Sequence, residues 1–246
     1  MDKGKPACES HVSEKDTVNI SASKKWTLFR ALCRVLGDQD HHLLQEIVAA
    51  GKFPSLVELA HQQEVLPAMA VRCGEYIPKH QIMSSVEGEL LKKALHDNTV
   101  RNMQISAQAL KIATLLNKAD IAPLFLKGTA QLLDPKTKNL GFRKQLDIDL
   151  LVKPEQLETA SNLLLADGYE FYDFTNSAHS GPTLLPDPVK AIRGSTAHHH
   201  LPPLLKKNYS TTVELHRHFL PKRFQREIPL EPMFSTAIPM NRNEIR

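Results

Sequence analysis

The sequence predicts an α+β protein: a helical N-terminal layer followed by a core with a mixed sheet flanked by helices. Three observations carry this reading. Apolar residues recur at helical spacing from Trp26 to Leu116, the period changes to short apolar runs near Ile121, and those runs then alternate with helical stretches and turn residues. The composition agrees. With 246 residues, 41% hydrophobic and 24% charged, the chain is long enough to bury roughly 70% of its unfolded surface.

Composition also excludes several classes. No stretch offers the roughly 20 consecutive apolar residues of a membrane-spanning helix, and residues 1–23 lack an apolar signal core, so a cytoplasmic protein without a membrane partner is expected. Cys8, Cys33 and Cys73 are odd in number and widely spaced, which implies no disulfide framework and no Cys-x-x-Cys metal site. A formal net charge of +4 is too small to mark a nucleic-acid binder, which concentrates its basic residues in a patch or stripe.

The elements follow in order. Residues 1–23 mix Lys, Asp, Glu, Ser and Thr with few large apolar side chains and are expected to form a disordered tail. A helical region is expected over 24–119. Leu28, Phe29, Leu32, Val35 and Leu36 form one stripe, Leu43, Leu44, Ile47 and Val48 a second after the polar break at 37–40, and Ile82 to Leu116 a long segment. The core is expected over 120–246. Ile121 to Leu126 reads as a buried strand turning at Lys127-Gly128, Thr129 to Leu133 as a first helical turn, and Leu146 to Val152 as a second strand. Pro154 starts a helix that Gly168 caps in the left-handed conformation, and Tyr169 to Phe174 is a third strand. Residues 175–197 carry Gly181, Pro182, Pro186, Pro188 and Gly194 and read as a long irregular connection with one short helical turn. His198 to Leu205 and Thr211 to Phe219 complete the strands.

Chemistry is suggested by three features. Asp147 and Asp149 stand two apart in an apolar strand, so both carboxylates face one side and can converge on cations. Leu126-Lys127-Gly128-Thr129 turns from strand into helix and can present backbone N–H groups to an anion. Glu214, in Val213-Glu214-Leu215-His216, supplies a third acid. Each has an ordinary reading as solvated charge or a plain turn; together they match what phosphoryl transfer requires. Lys127 and Arg143 can neutralise phosphate oxygens. The histidines, His198 to His200 with His216 and His218, leave open packing, contacts near the phosphate or acceptor, and a zinc site.

The ordered series Leu126-Lys127-Gly128-Thr129, Arg143-x-x-x-Asp147-Ile148-Asp149-Leu150-Leu151-Val152, Gly168-Tyr169, His199-His200-Leu201-Pro202-Pro203-Leu204 and Val213-Glu214-Leu215-His216 resembles the uncharacterised nucleotidyltransferase family with the polymerase-β-type fold. The resemblance implies that Lys127, Gly128, Thr129 and Arg143 bind the nucleotide. It further implies that Asp147, Asp149 and Glu214 are catalytic and hold Mg²⁺ or Mn²⁺. Two departures stand out: Leu146 replaces a small polar residue and reads as extra core, and the core is expected to be truncated at its C-terminal end.

The expected activity is Mg²⁺-dependent transfer of a nucleoside monophosphate from a nucleoside triphosphate to an acceptor hydroxyl, with release of pyrophosphate. The alternative is a catalytically inactive module of the same fold that binds nucleotide or a protein partner. The acceptor (small molecule, protein or RNA) and the base preference have no signature in the sequence.

Overall fold

Helical periodicity and its interruptions organise the first part of the chain. The computed structural model describes residues 14–37, 41–76, 85–174, 181–194, 198–209 and 211–240. Two compact units result, Met1–His96 and Asp97–Arg246, the division falling inside a long helix. The first contains α1 (Glu14–Leu36), α2 (His41–Ala49), α3 (Phe53–Gln62), α4 (Leu66–Tyr76) and the opening turns of α5 (Val86–Asn117). Gly51, at φ +67°, closes α2: its N–H and that of Lys52 bond back to Val48 and Ile47, and Pro54 then starts α3. Leu32, Leu44, Leu56, Met69 and Leu91 are buried together. Of the stretch expected as a tail, residues 1–13 lie outside the described residues and Glu14 begins α1.

In the second unit six strands form one mixed sheet: β1 (Leu124–Phe125), β2 (Asp147–Leu151), β3 (Tyr169–Asp173), β4 (Thr183–Leu184), β5 (Leu204–Lys206) and β6 (Thr212–His216). Their order is β1-β2-β6-β5-β3-β4. Only β2 and β6 run parallel; the other pairs are antiparallel. Helices α6 (Lys127–Leu133), α7 (Leu157–Ala166), α8 (Pro188–Gly194) and α9 (Glu231–Ser235) accompany the sheet, making nine helices among the described residues. The architecture is therefore α+β with a mixed sheet, as the sequence predicts.

Strand alternation decides what lies on each side of the central pair. Ile148 and Leu150 on β2, paired with Val213 and Leu215 on β6, enter a core shared with Ile105 and Ile112 of α5 and Leu164 of α7. Asp147, Asp149, Glu214 and His216 consequently share the opposite face. Each buried side chain contributes about 1.5–3 kcal/mol. Phe171, 1% exposed in the middle of β3, is among the largest. Phe171→Ala is expected to lower the unfolding free energy by about 3–5 kcal/mol. Urea titration followed by circular dichroism measures it, and a loss under 1 kcal/mol would contradict this core.

Several elements differ from the sequence reading, each for a local reason. The first strand is only Leu124–Phe125, because Pro123 has no N–H to give a ladder. His198 to Leu205 is not one strand: Pro202 and Pro203 interrupt it, leaving an isolated bridge from His200 to His216 and then β5. Likewise β6 ends at His216, so His218 falls beyond the ladder. Residues 181–194 form β4 and α8, while 175–180 and 195–197 lie outside the described residues. Leu146 is 57% exposed and so is not core. Gly168, by contrast, agrees with the sequence: at φ +88° it sits in the left-handed conformation where α7 ends.

Candidate functional site

Asp149, in the middle of β2, is fully buried, and its two oxygens have different surroundings. Oδ1 lies 2.7 Å from Lys127 Nζ and 2.8 Å from His216 Nε2. Oδ2 is buried and has no hydrogen-bond partner. The backbone explains how Lys127 gets there. Leu126 N–H bonds to Asp149 O at 3.0 Å, and Lys127 then takes a left-handed φ of +49°, which begins α6. A non-glycine residue in that conformation costs on the order of 1–3 kcal/mol and tends to occur where function fixes a side chain.

The parallel register places Glu214 directly opposite Asp149. Its Oε2 is 3.5 Å from the same His216 Nε2. Asp149, Glu214 and His216 each turn one ligand atom toward the others, all within 4.8 Å, and they are the group of that kind among the described residues. Asp147 is on the same strand face but its carboxylate does not join them. Gln145 Nε2 donates to Asp147 O at 2.7 Å and to Asp147 Oδ1 at 3.2 Å.

Charge follows this geometry. For Asp149, burial works to raise the pKa, but hydrogen bonds from His216 and Lys127 outweigh it and hold the carboxyl below its usual range. Glu214 is lowered chiefly by its hydrogen bond to His216, against the cost of burial. Asp147 is raised, first by burial and then by the charges of Asp149 and Glu214. His216 is raised: burial opposes its charge, but Asp149 and Glu214 outweigh burial. Three acids thus crowd one face with the Lys127 ammonium and the His216 ring N–H set against them, and a divalent ion would relieve the repulsion on Asp147. The unpartnered Oδ2 of Asp149, buried beside a second carboxylate, is an oxygen donor of the kind hard divalent cations take. The residues fit such an ion.

The turn residues are placed differently from the simplest reading. Gly128 and Thr129 are both buried, and Thr129 Oγ1 reaches Asp147 O at 3.4 Å. Gly128 is required by close approach: a Cβ there would lie 1.8 Å from Gln145 Oε1. The left-handed position of this turn belongs to Lys127 instead. Arg143 has an exposed side chain and lines a small cavity of about 20 Å³ with Gly128 and Gln145. The 140–145 loop is held by α5, whose Asn98 donates to Gly141 O and Arg143 O, Asn102 to Leu140 O and Arg143 O, and Arg101 to Gln145 O.

The family model described as "Uncharacterised nucleotidyltransferase" matches residues 50–246, most of the chain and all of the site. The chain belongs to the uncharacterised nucleotidyltransferase family. The curated proteins and the solved structures returned no match. Among the described residues no helix is long and apolar enough to cross a membrane.

Of the site residues outside the acids and the turn, His216 is one whose role the sequence leaves open, although strand alternation from Glu214 puts it on the same face two residues later. Gln145 had no signal, because its role depends on a loop held by a distant helix. Of the other histidines, His199 and His200 stand beside His216, and among the described residues none of them joins a group with metal-ligand spacing. The rings of His199 and His200 lie 5.3 and 5.2 Å from that of His216, and burial together with His200, His216 and Lys127 pushes His199 down to about 4.

Because Gln145 is itself buried and bonded to Asp147, it cannot yield freely to a side chain at residue 128. Gly128→Ala is expected to destabilise the protein by about 1–3 kcal/mol, with most of that cost recovered in Gly128→Ala/Gln145→Ala. A double-mutant cycle in urea measures it, and strictly additive losses would remove the steric explanation.

Proposed function

We propose that this protein is a divalent-metal-dependent nucleotidyltransferase that moves a nucleoside monophosphate from a nucleoside triphosphate to an acceptor hydroxyl and releases pyrophosphate. The observation that carries the proposal is the buried, unpartnered Oδ2 of Asp149 beside Glu214 on paired parallel strands. Family membership supports the reaction class.

In this reading Asp149 and Glu214 hold Mg²⁺ or Mn²⁺, with Asp147 joining when it leaves Gln145. The bound ion would neutralise triphosphate charge in the transition state. Lys127, its side chain half exposed, has the reach and charge to contact a phosphate oxygen as a point cation. Arg143 offers a planar fork from the loop beside Gly128 and Thr129, the turn where the polymerase-β-type fold would seat the phosphates. The pKa of Glu214 is lowered, so this carboxylate stays ionised near neutrality and suits cation holding better than proton transfer.

The test is a screen of the four ribonucleoside triphosphates, α-labelled, with Mg²⁺ or Mn²⁺. Pyrophosphate release and intact-mass analysis of protein and added acceptors are the readouts. Divalent-dependent triphosphate binding with label transfer is the expected result. Binding without transfer would support the non-catalytic alternative, and no triphosphate binding with either ion would overturn the proposal and the nucleotide-binding form of the alternative, leaving its protein-partner form.

A further inference from the structure

His216 is 1% exposed and places one nitrogen between two carboxylates. A carboxylate can only accept, so the 2.8 Å contact requires Nε2 to carry the hydrogen and donate to Asp149 Oδ1. The other nitrogen, Nδ1, is buried without a hydrogen-bond partner. A bare lone pair there needs no partner as urgently as an N–H would, and a neutral ring with Nε2–H satisfies both observations at once. The ring has little freedom to turn away. It is bracketed by the His199 and His200 rings, and its backbone is bridged to His200 and bonded to Val152 N–H.

We propose that His216 is a positioning residue. By donating from Nε2 it saturates Asp149 Oδ1 together with Lys127, and so leaves Oδ2 as the single oxygen that Asp149 offers to a divalent cation. The inference rests on the proposed function and deepens it: the cation is held by oxygen donors alone, and the imidazole acts through the carboxylate. The rival arrangement, with Nε2 as a metal ligand, would strip its proton and move it to Nδ1, where the structure provides no acceptor. An oxygen-only set suits Mg²⁺ and Mn²⁺; an imidazole donor would tilt the site toward softer ions.

The experiment uses the full chain with Mn²⁺ as the probe, titrated by electron paramagnetic resonance. His216→Leu removes the donor, His216→Asn is polar but too short to reach Asp149, and His216→Gln restores an N–H at similar reach. The Leu and Asn variants are expected to bind Mn²⁺ about 10- to 100-fold more weakly, the usual cost of losing a group that orients a ligand, with Gln recovering most of the loss. Pulsed spectra of wild-type protein with Mn²⁺ should show no imidazole nitrogen coupling. Such a coupling would overturn the proposal by making His216 a ligand, and so would wild-type affinity in a folded Leu or Asn variant. Wild-type protein that binds no Mn²⁺ would defeat the metal reading itself. The hydrogen bond is then judged separately by nitrogen NMR of histidine-labelled protein, where a hydrogen on Nε2 is expected and a ring protonated only at Nδ1 overturns the positioning role.

Discussion

Asp149→Asn is expected to lower the proposed nucleotidyl transfer about 10³-fold, since a divalent ion held there would supply several kcal/mol of transition-state stabilisation at 1.36 kcal/mol per decade of rate. The substitution is nearly isosteric and its effect can be followed atom by atom. The carbonyl oxygen of Asn can still accept from Lys127 and His216, the contacts that Asp149 Oδ1 makes now. The amide NH₂ then takes the place of Oδ2 and turns a donor toward the point where a cation needs an acceptor. Folding should survive because the hydrogen bonds are kept, while metal-dependent triphosphate binding is lost. Calorimetry with Mg²⁺ and triphosphate, alongside a melting curve, separates the two effects. A folded Asp149→Asn protein that binds and transfers as wild type would remove Asp149 from the centre of the site.

How much of this was legible follows from the range over which each feature is determined. The face shared by Asp147 and Asp149 comes from alternation within one strand, so spacing alone discloses it. The pairing of Asp149 with Glu214 does not, because β2 and β6 are far apart in the chain and their parallel register is set by how Ile148, Leu150, Val213 and Leu215 pack into a common core. Local chemistry also misleads at the turn. A glycine after a strand suggests a left-handed bend, yet here Lys127 takes that conformation and Gly128 makes room for Gln145. Gln145 is placed by Asn98, Arg101 and Asn102, which lie three and four residues apart on one face of α5 and grip a loop some forty residues later. That polar stripe in an amphipathic helix was visible, but its partner was not. His198 to Leu205 failed as a strand for a reason that was fully local: two consecutive prolines cannot donate to a ladder.

Glu214→Gln is expected to leave the fold intact and triphosphate binding largely present while turnover falls about 10²–10³-fold, a part of the several kcal/mol that a well-held cation would supply. The fold should tolerate it because Glu214 is partly exposed, and Gln can keep an oxygen near His216 Nε2. Binding should persist because Asp149, Lys127 and the turn remain. What disappears is the negative charge that His216 now keeps ionised at the point opposite Asp149. Two origins of the turnover loss can be told apart by the metal dependence. A carboxylate that holds the cation predicts that raising Mg²⁺ recovers part of the lost rate, because weaker affinity is offset by mass action. A carboxylate that takes the acceptor proton predicts a loss that no metal concentration repairs. The lowered pKa of Glu214 makes the first outcome the expected one, since a group held ionised near neutrality is a weak proton acceptor but an effective cation ligand. Equal wild-type and Glu214→Gln turnover at every metal concentration would show that the carboxylate opposite Asp149 is an ordinary strand acid, and the site would then have to be rebuilt around Asp147 and Asp149 alone.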